Sequence, residues 1–153
     1  MRSLDSLTKL AGTWKGTYRL WELPSEAPHE SRTVASFTLV LGGRFVRMDY
    51  TWGFDGEPQE GSLLFGYEQR EDMVTAVWID SWHMGDKFMI CRGVAQGGGA
   101  IVVRGEYAAP SGPDWGWRTV IELGDGGSFR MVMYNVSPDG QEDLAVEATF
   151  TRP

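Results

Sequence analysis

The stretch Phe45-Val46-Arg47-Met48-Asp49-Tyr50-Thr51-Trp52-Gly53-Phe54 alternates between large apolar residues and mostly polar ones. Its even-numbered positions carry Val, Met, Tyr, Trp and Phe, and its odd-numbered positions include Arg, Asp and Thr. Successive side chains of a β-strand point to opposite faces of the sheet. The period of two therefore predicts a strand that is buried on one face and exposed to water on the other.

Similar runs lie on both sides of this stretch, which brings the number of predicted strands to ten. The other nine are residues 13–21, 33–41, 61–67, 74–82, 87–95, 100–107, 115–123, 129–136 and 144–152. Short glycine-containing segments that favour tight turns separate many of them: residues 42–43, 55–58, 97–99, 124–127 and 137–140. Such a pattern predicts an all-β, up-and-down antiparallel meander, and closure into a barrel would leave no strand edge unpaired.

A short helix is expected before the first strand, over residues 3–10. Leu4, Leu7 and Leu10 recur at a spacing of three, Ser3 or Asp5 is available as a cap, and Gly12 ends the pattern. A helix of this length is not stable alone, so its leucines must pack on another element. We expect it to cover one end of the barrel within one domain of residues 1–153.

The bulk composition excludes several classes of protein. The net charge of −7 makes nucleic acid and anionic membrane surfaces poor partners. Cys91 is the single cysteine, so no intrachain disulfide can form, and we expect a small buried side chain there. Because the N-terminus lacks the apolar core of a signal peptide and no apolar run approaches the roughly 20 residues of a membrane helix, a cytoplasmic protein is expected.

The segment Gly12-Thr13-Trp14, which follows the short helix, resembles the G-x-W start of the calycins: lipocalins, fatty-acid-binding proteins and nitrobindins. The resemblance implies that Trp14 lies at the closed end of the barrel, with a basic residue of the last strand packed across it. Arg152 stands at the matching place in this sequence. A guanidinium over an indole is worth about 0.5–2 kcal/mol.

More closely, the chain resembles a bacterial family of calycin-like proteins called domain of unknown function 1579. The features that carry this resemblance are Leu7-x-x-Leu10-x-Gly12-x-Trp14-x-Gly16, Gly66-Tyr67, Trp78-Ile79-Asp80-Ser81 and Glu147-Ala148-Thr149-Phe150-Thr151-Arg152. It implies a barrel and brings no established activity. Nitrobindins carry haem on a histidine from the late part of the chain, whereas the last histidine here is His83, so haem is disfavoured and no cofactor is predicted. The interior Arg-x-Tyr carboxylate anchor of fatty-acid-binding proteins has no match, because Arg152 follows Phe150.

The segment Asp80-Ser81-Trp82-His83 has the residue types of a catalytic triad. On a strand, however, Asp80 and Ser81 point to opposite faces and cannot converge on one substrate. We therefore expect one of them to bind backbone groups at the strand end. His29, His83, Cys91 and the carboxylates lack the spacing of a metal site, so none is predicted.

One face of the predicted strands collects aromatic residues, methionines and one acid. If these side chains point inward, they line a cavity that fits a small, mainly apolar ligand. The alternative interpretation is that they simply fill the barrel. The candidate ligand-binding residues are Tyr18, Met48, Tyr50, Trp52, Trp78, Asp80, Trp117, Met131 and Met133.

The opposite face of the last three strands carries Arg118, Glu122, Arg130 and Glu147. The first interpretation is a set of solvated ion pairs across strands. The alternative turns Arg118 and Glu147 inward as a polar handle for an acidic ligand. Residues 129–136 are apolar on both faces, which is also typical of a surface that binds another subunit.

Three functional hypotheses follow from these patterns. The first is a non-enzymatic protein that binds a small apolar molecule inside the barrel. The second is a haem protein or an enzyme that uses the same cavity, with Asp80, His83 or Tyr50 as acid–base groups. The third is a structural role as a homodimer. Residues 23–31 and 108–114 form the two longer, proline-containing connections, and we expect them at the barrel mouth.

Overall fold

The computed structural model describes residues 4–95, 99–125 and 127–153. Within these ranges it contains one short α-helix, α1 (Asp5–Thr8), ten strands, and a 3₁₀ helix of three residues, Leu41–Gly43, between the second and third strands. The strands are β1 (Gly12–Leu20), β2 (His29–Val40), β3 (Phe45–Phe54), β4 (Glu57–Glu68), β5 (Met73–Asp80), β6 (Met89–Ala95), β7 (Ile101–Tyr107), β8 (Trp115–Leu123), β9 (Ser128–Val136) and β10 (Glu142–Thr151). Each strand pairs antiparallel with its neighbours in sequence, and β1 also pairs with β10. The predicted ten-stranded, up-and-down barrel is confirmed.

Alternation of apolar and polar residues accounts for the strands. In β3, Val46, Met48, Tyr50 and Trp52 are buried and alternate with more exposed positions, so the apolar face of the strand points into the barrel. β3 and β8 have the bounds that the pattern predicts. β1, β5 and β7 show a similar alternation, whereas β8 and β9 contain runs of three consecutive buried residues. The inward-facing side chains of the strands form the hydrophobic core inside the barrel.

Several strand ends differ from their prediction. β2, β4 and β10 begin earlier than expected, at His29, Glu57 and Glu142, because pairing with a neighbouring strand extends the ladder through polar residues. β5 ends at Asp80 and not at residue 82, because the chain turns there: the Asp80 carbonyl accepts the N–H groups of Met84 and Gly85. The predicted turn glycines 97, 98 and 126 lie outside the described residues.

The helix is shorter than the spacing of leucines predicts. α1 is a single turn, and its N-cap residue is Leu4, which makes no side-chain capping bond. Ser3, one of the two expected caps, lies outside the described residues. Leu4, Leu7 and Leu10 are nevertheless buried in the core cluster, so the segment packs its apolar side chains as expected.

Trp14 lies at the end of the barrel against which the α1 segment packs, here called the closed end. Its indole Nε1 donates a hydrogen bond of 2.8 Å to the Leu10 carbonyl, and its ring meets Phe129 edge-on at 5.0 Å. The Arg152 guanidinium carbon lies 3.9 Å from the centroid of the Trp14 ring. Arg152 also donates to the Ala11 carbonyl at 3.1 Å. These contacts join the start of β1, the end of β10 and the helix segment.

Gly12 opens β1 with a φ of +116°, a conformation that strongly favours glycine. A Cβ atom at this position would lie 2.8 Å from the Arg152 guanidinium. The glycine therefore provides both the backbone geometry and the space in which Arg152 reaches Trp14.

The outer face of β8, β9 and β10 carries a network of ion pairs. Arg130 pairs with Glu122 and with Glu147, the latter at 2.8 Å, and Arg118 binds Glu142 through two bonds of 2.7 Å. Arg118 alternates with buried residues on β8, and Glu147 does so on β10, so both side chains point away from the interior. The solvated ion pairs are thus observed, and the inward arrangement of Arg118 and Glu147 is wrong.

Candidate functional site

The nine candidate ligand-binding residues all lie on the inner face of the barrel. The exposed fraction is 0% for Tyr18, Met48, Met131 and Met133, and it reaches 4% for Trp52 and 6% for Trp117. A cavity large enough for a ligand would leave accessible surface on its walls. These side chains therefore fill the middle of the barrel. The end of the barrel opposite α1 is here called the open end.

A chain of buried hydrogen bonds runs across the open end. The Trp78 indole donates to the Tyr50 hydroxyl at 2.9 Å, and that hydroxyl donates to Asp80 Oδ2 at 2.7 Å. Asp80 Oδ1 accepts the backbone N–H groups of Trp82 and His83, both at 2.9 Å, and lies 3.1 Å from His83 Nδ1. The Asp80 carboxylate thus has four hydrogen-bond partners and little capacity for another.

The turn after β5 builds this arrangement. Asp80 is the last residue of the strand and points inward, and the following turn returns the chain so that His83 lies against the same carboxylate. Ser81 is exposed instead, and its hydroxyl bonds the Glu60 N–H and the Gln59 side chain. The prediction that Asp80 and Ser81 diverge is confirmed. One of the two was expected to bind backbone groups, and both do.

Electrostatics keep the Asp80 carboxyl ionised. Burial alone would raise its pKa, but hydrogen bonds from His83 and Tyr50, together with the positive charge that His83 carries when it is protonated, hold the pKa below the usual value. Burial, and then the nearby Asp80 charge, raises the pKa of the Tyr50 and Tyr18 hydroxyls well above the usual value. An ionised carboxylate can only accept hydrogen bonds, so both Tyr50 Oη and His83 Nδ1 carry the protons that they share with Asp80.

Four indole rings surround His83. Their centroids lie at 4.8 Å for Trp82, 5.2 Å for Trp117, 5.6 Å for Trp78 and 5.7 Å for Trp52. Trp78 and Trp117 stack at 5.1 Å. Tyr18 stacks on Trp52 at 4.4 Å and extends the group inward. We call this set the aromatic cluster: Tyr18, Trp52, Trp78, Trp82, His83 and Trp117.

The aromatic cluster retains unused hydrogen-bonding groups. Among residues 4–95, 99–125 and 127–153, five buried side-chain atoms lack a hydrogen-bond partner: Tyr18 Oη, Thr33 Oγ1, Trp52 Nε1, His83 Nε2 and Trp117 Nε1. Four of the five belong to the cluster. A buried polar group without a partner costs about 1–3 kcal/mol, and each such group in a native fold needs an explanation.

A surface cleft of about 380 Å³ lies directly over the cluster. Its walls combine aromatic, aliphatic and acidic side chains from five parts of the chain: Trp21, Glu22, Leu23, Pro24, Trp82, His83, Trp115, Trp117, Asn135, Asp143, Leu144 and Ala145. The first long connection contributes Leu23 and Pro24. The second lines a neighbouring hollow through Ala109, Pro110 and Ser111, beside Trp115 and Asn135. Both connections therefore border clefts at the open end.

Sequence reasoning did not place His83 among the ligand-binding residues, and it omitted the rim residues Trp21, Trp82 and Trp115. The signal for His83 was its position three residues after an inward-pointing acid at a strand end. In a turn, that spacing allows Asp80 and His83 to meet. The described part of the chain contains no group of three or more His, Cys, Asp or Glu residues that could hold a metal ion.

Comparison with known proteins identifies the family. A family model described as "Protein of unknown function (DUF1579)" matches residues 3–152. The chain is a DUF1579 protein. The family resemblance seen in the sequence is thereby confirmed. No curated protein is significantly similar in sequence to this DUF1579 chain.

One solved structure similar to this DUF1579 protein is the crystal structure of Rv2717c from M. tuberculosis. The TM-score is 0.64, the sequence identity is 18%, and the match covers 100% of the DUF1579 chain and 98% of the other. At this identity the likeness shows a shared fold and nothing about ligands. In the described part of the DUF1579 protein, no helix has the length and apolarity needed to cross a membrane.

Proposed function

We propose that this DUF1579 protein binds a small, planar, mainly apolar molecule at the open end of its barrel. The supporting observation is the group of four unpaired polar atoms on one connected aromatic cluster beneath a cleft of about 380 Å³. Cavities that hold small molecules usually measure about 300–1,000 Å³ and combine apolar walls with a few polar groups. The cluster has this composition.

The arrangement favours a flat ligand. Trp78 and Trp117 already stack on each other, and Tyr18 and Trp52 form a second stacked pair beside them. Aromatic faces prefer offset-stacked or edge-on partners, so a planar molecule gains more contact here than a flexible chain. Trp117, which lines the cleft, is therefore the direct ligand contact in this proposal, and Trp52 and Trp78 pack against the same His83 ring.

The remaining candidate residues have supporting roles. Met48, Met131 and Met133 are completely buried below the cluster, and their flexible thioethers form a floor that can adapt to ligands of different depth. Tyr50 and Asp80 are bound to each other and to their neighbours, so they act on a ligand through His83.

The acid–base enzyme remains a second candidate, because the Asp80–His83 pair has the form of an oriented general base. The structure gives less support to a nucleophile. Ser81 is exposed and points away from the cleft, and burial raises the pKa of the Cys91 thiol to about 12. A non-enzymatic role is therefore favoured over catalysis.

A homodimer through the outer face of β9 receives less support. Val132, the apolar residue in the middle of that face, is only 3% exposed, and the neighbouring Arg130 is engaged in ion pairs with Glu122 and Glu147. Sedimentation at high protein concentration tests this role directly.

Ligand titration tests the proposed function. The purified protein is mixed with a panel of naphthalene and anthracene derivatives and fatty acids while tryptophan fluorescence and melting temperature are recorded. A molecule that binds only the folded state stabilises it by about 2.7 kcal/mol at a concentration 100 times its Kd. We expect planar aromatic compounds to raise the melting temperature and fatty acids to have a smaller effect.

The matched variants are Trp117→Ala and Phe88→Ala. Phe88 is 63% exposed and lies outside both the cluster and its cleft, so its loss leaves binding unchanged. Trp117→Ala removes a wall of the site and weakens binding. A panel without any response, or equal affinity of the two variants, contradicts the proposal. A Soret band on addition of haem, lost in His83→Ala, would favour the haem alternative.

A further inference from the structure

We infer that His83 is the specificity-determining residue of this site and that its ligand carries a hydroxyl group. This inference rests on the proposed function. The ligand hydroxyl would bind one atom, His83 Nε2. The supporting observations are the hydrogen bond between His83 Nδ1 and Asp80 and the unpaired polar groups of the aromatic cluster.

The Asp80 carboxylate determines which nitrogen of His83 carries the proton. His83 Nδ1 lies 3.1 Å from Asp80 Oδ1, and the ionised carboxylate accepts the Nδ1 proton. In the neutral imidazole, Nε2 is then a hydrogen-bond acceptor. The backbone N–H of His83 donates to the same carboxylate, which fixes the backbone from which the imidazole ring projects.

His83 Nε2 is buried, and no partner for it exists among the described residues. The imidazole side chain is only 8% exposed and is enclosed by the rings of the aromatic cluster. The Trp52 and Trp117 indole N–H groups are unpaired as well. The centroids of these two rings lie 5.7 and 5.2 Å from the centroid of the His83 ring, so the unpaired groups are close together. An acceptor and two donors therefore remain unused within one cluster.

A hydroxyl is the simplest group that satisfies both types of atom. It donates one hydrogen bond to His83 Nε2 and accepts another from an indole N–H or from the Tyr18 hydroxyl. An ether or carbonyl can only accept, and it leaves Nε2 without a partner. An apolar ligand leaves all four groups unpaired, and a site with buried polar groups discriminates strongly against such a ligand.

The test compares 2-naphthol with 2-methylnaphthalene. The two molecules have nearly the same shape, but 2-naphthol carries a hydroxyl group where 2-methylnaphthalene carries a methyl group. The apolar surface of the methyl compound would favour its burial if no hydrogen bond were made. We expect the wild-type protein to bind 2-naphthol at least about tenfold more tightly, measured as Kd from the quenching of tryptophan fluorescence.

Substitutions test whether His83 causes the preference for 2-naphthol over 2-methylnaphthalene. His83→Phe keeps an aromatic ring but removes the acceptor, so the preference for 2-naphthol disappears. His83→Gln retains a polar group that can accept, so part of the preference returns. Asp80→Asn no longer fixes the protonated nitrogen of His83, and the ratio of the two Kd values falls toward one. Phe88→Ala is the matched control and retains the wild-type ratio.

The outcomes separate this inference from the proposed function. Equal or tighter binding of 2-methylnaphthalene to the wild-type protein overturns the role of His83 and leaves aromatic binding at the open end intact. An undiminished preference in His83→Phe also overturns it. Failure of both compounds and of the whole ligand panel removes the proposed function itself. The wild-type comparison remains decisive if circular dichroism shows that His83→Phe does not fold.

Discussion

The two ends of the barrel are both filled with aromatic rings, but they differ in how the polar atoms of those rings are used. At the closed end, the Trp14 indole donates to the Leu10 carbonyl and its ring is covered by Arg152. At the open end, the Trp52 and Trp117 indoles have no partner among the described residues. Burial does not distinguish the ends, since Trp14 is 2% exposed and Trp52 is 4% exposed.

This difference is the basis for the structural role proposed for the closed end and the binding role proposed for the open end. A satisfied indole contributes its full apolar area without loss of a hydrogen bond. An unsatisfied one loses about 1–3 kcal/mol of the stability that its burial provides, and a ligand can recover that energy. The unpaired polar atoms of the open end, more than its aromatic content, therefore support the proposal that the ligand binds there.

The largest expected effect is at the closed end. Trp14→Ala removes a large core side chain and leaves a cavity, so the free energy of unfolding should fall by about 3–5 kcal/mol. Urea denaturation measures this loss. Under conditions in which the variant is folded, its affinity for planar aromatic ligands should match the wild type. Lost binding with unchanged stability would show that the roles of the two ends are reversed.

The same substitution, tryptophan to phenylalanine, can be made at each end of the barrel to compare the two ends. Trp14→Phe leaves the buried Leu10 carbonyl without its partner and should destabilise the protein by about 1–3 kcal/mol. Trp117→Phe removes an N–H group that has no partner and should cost less than about 1 kcal/mol. Both values come from chemical denaturation. Equal losses would mean that hydrogen-bond satisfaction does not distinguish the two ends.

Acidification should weaken the hydrogen-bonded chain at the open end. Because the folded protein holds the pKa of Asp80 below its usual value, the ionised carboxylate stabilises the fold above the unfolded pKa of about 3.9. That contribution is lost as the pH falls through the folded pKa. A pH series of unfolding free energies should therefore show a smaller acid-induced decline in Asp80→Asn than in the wild type.

The control for the pH series is Asp86→Asn, which removes an exposed carboxyl from the same connection between β5 and β6. This variant should retain the wild-type decline. If Asp80→Asn declines as steeply as the wild type, another carboxyl dominates the acid response and the account of Asp80 is wrong.

The smallest expected effect concerns Arg152, whose side chain lies at the surface over Trp14. Arg152→Ala removes a cation–π contact and one hydrogen bond to the Ala11 carbonyl. Exposed contacts of this kind contribute about 0.5–1 kcal/mol. The melting temperature should fall slightly, and ligand affinity should not change. A loss as large as that of Trp14→Ala would show that Arg152 has a wider structural role.

The fold could be predicted from the sequence because strand periodicity and turn residues are local signals. Alternation over Phe45–Phe54 gave both the bounds of β3 and its inward face. The position of Arg152 over Trp14 could be expected from the family resemblance.

The site could be predicted only in part. Alternation tells which side chains point inward, but it does not tell how closely they pack, so a hollow barrel and a filled one gave the same pattern. His83 was named as an acid–base group but not as a ligand-binding residue, because a turn, not a strand, brings it against Asp80. Unpaired atoms such as Trp117 Nε1 depend on the exact tilt of each ring, for which the sequence has no signal.

The indole N–H resonances of the seven tryptophans provide the most direct test of the difference between the two ends. Two-dimensional ¹H–¹⁵N spectra of the wild-type protein would be recorded during titration with 2-naphthol, with assignments from single Trp→Phe variants. We expect the Trp52 and Trp117 indole resonances to shift as new hydrogen bonds form, while the Trp14 resonance stays in place. A shift confined to Trp14, or the absence of any shift at saturating ligand, would contradict the proposed difference between the two ends.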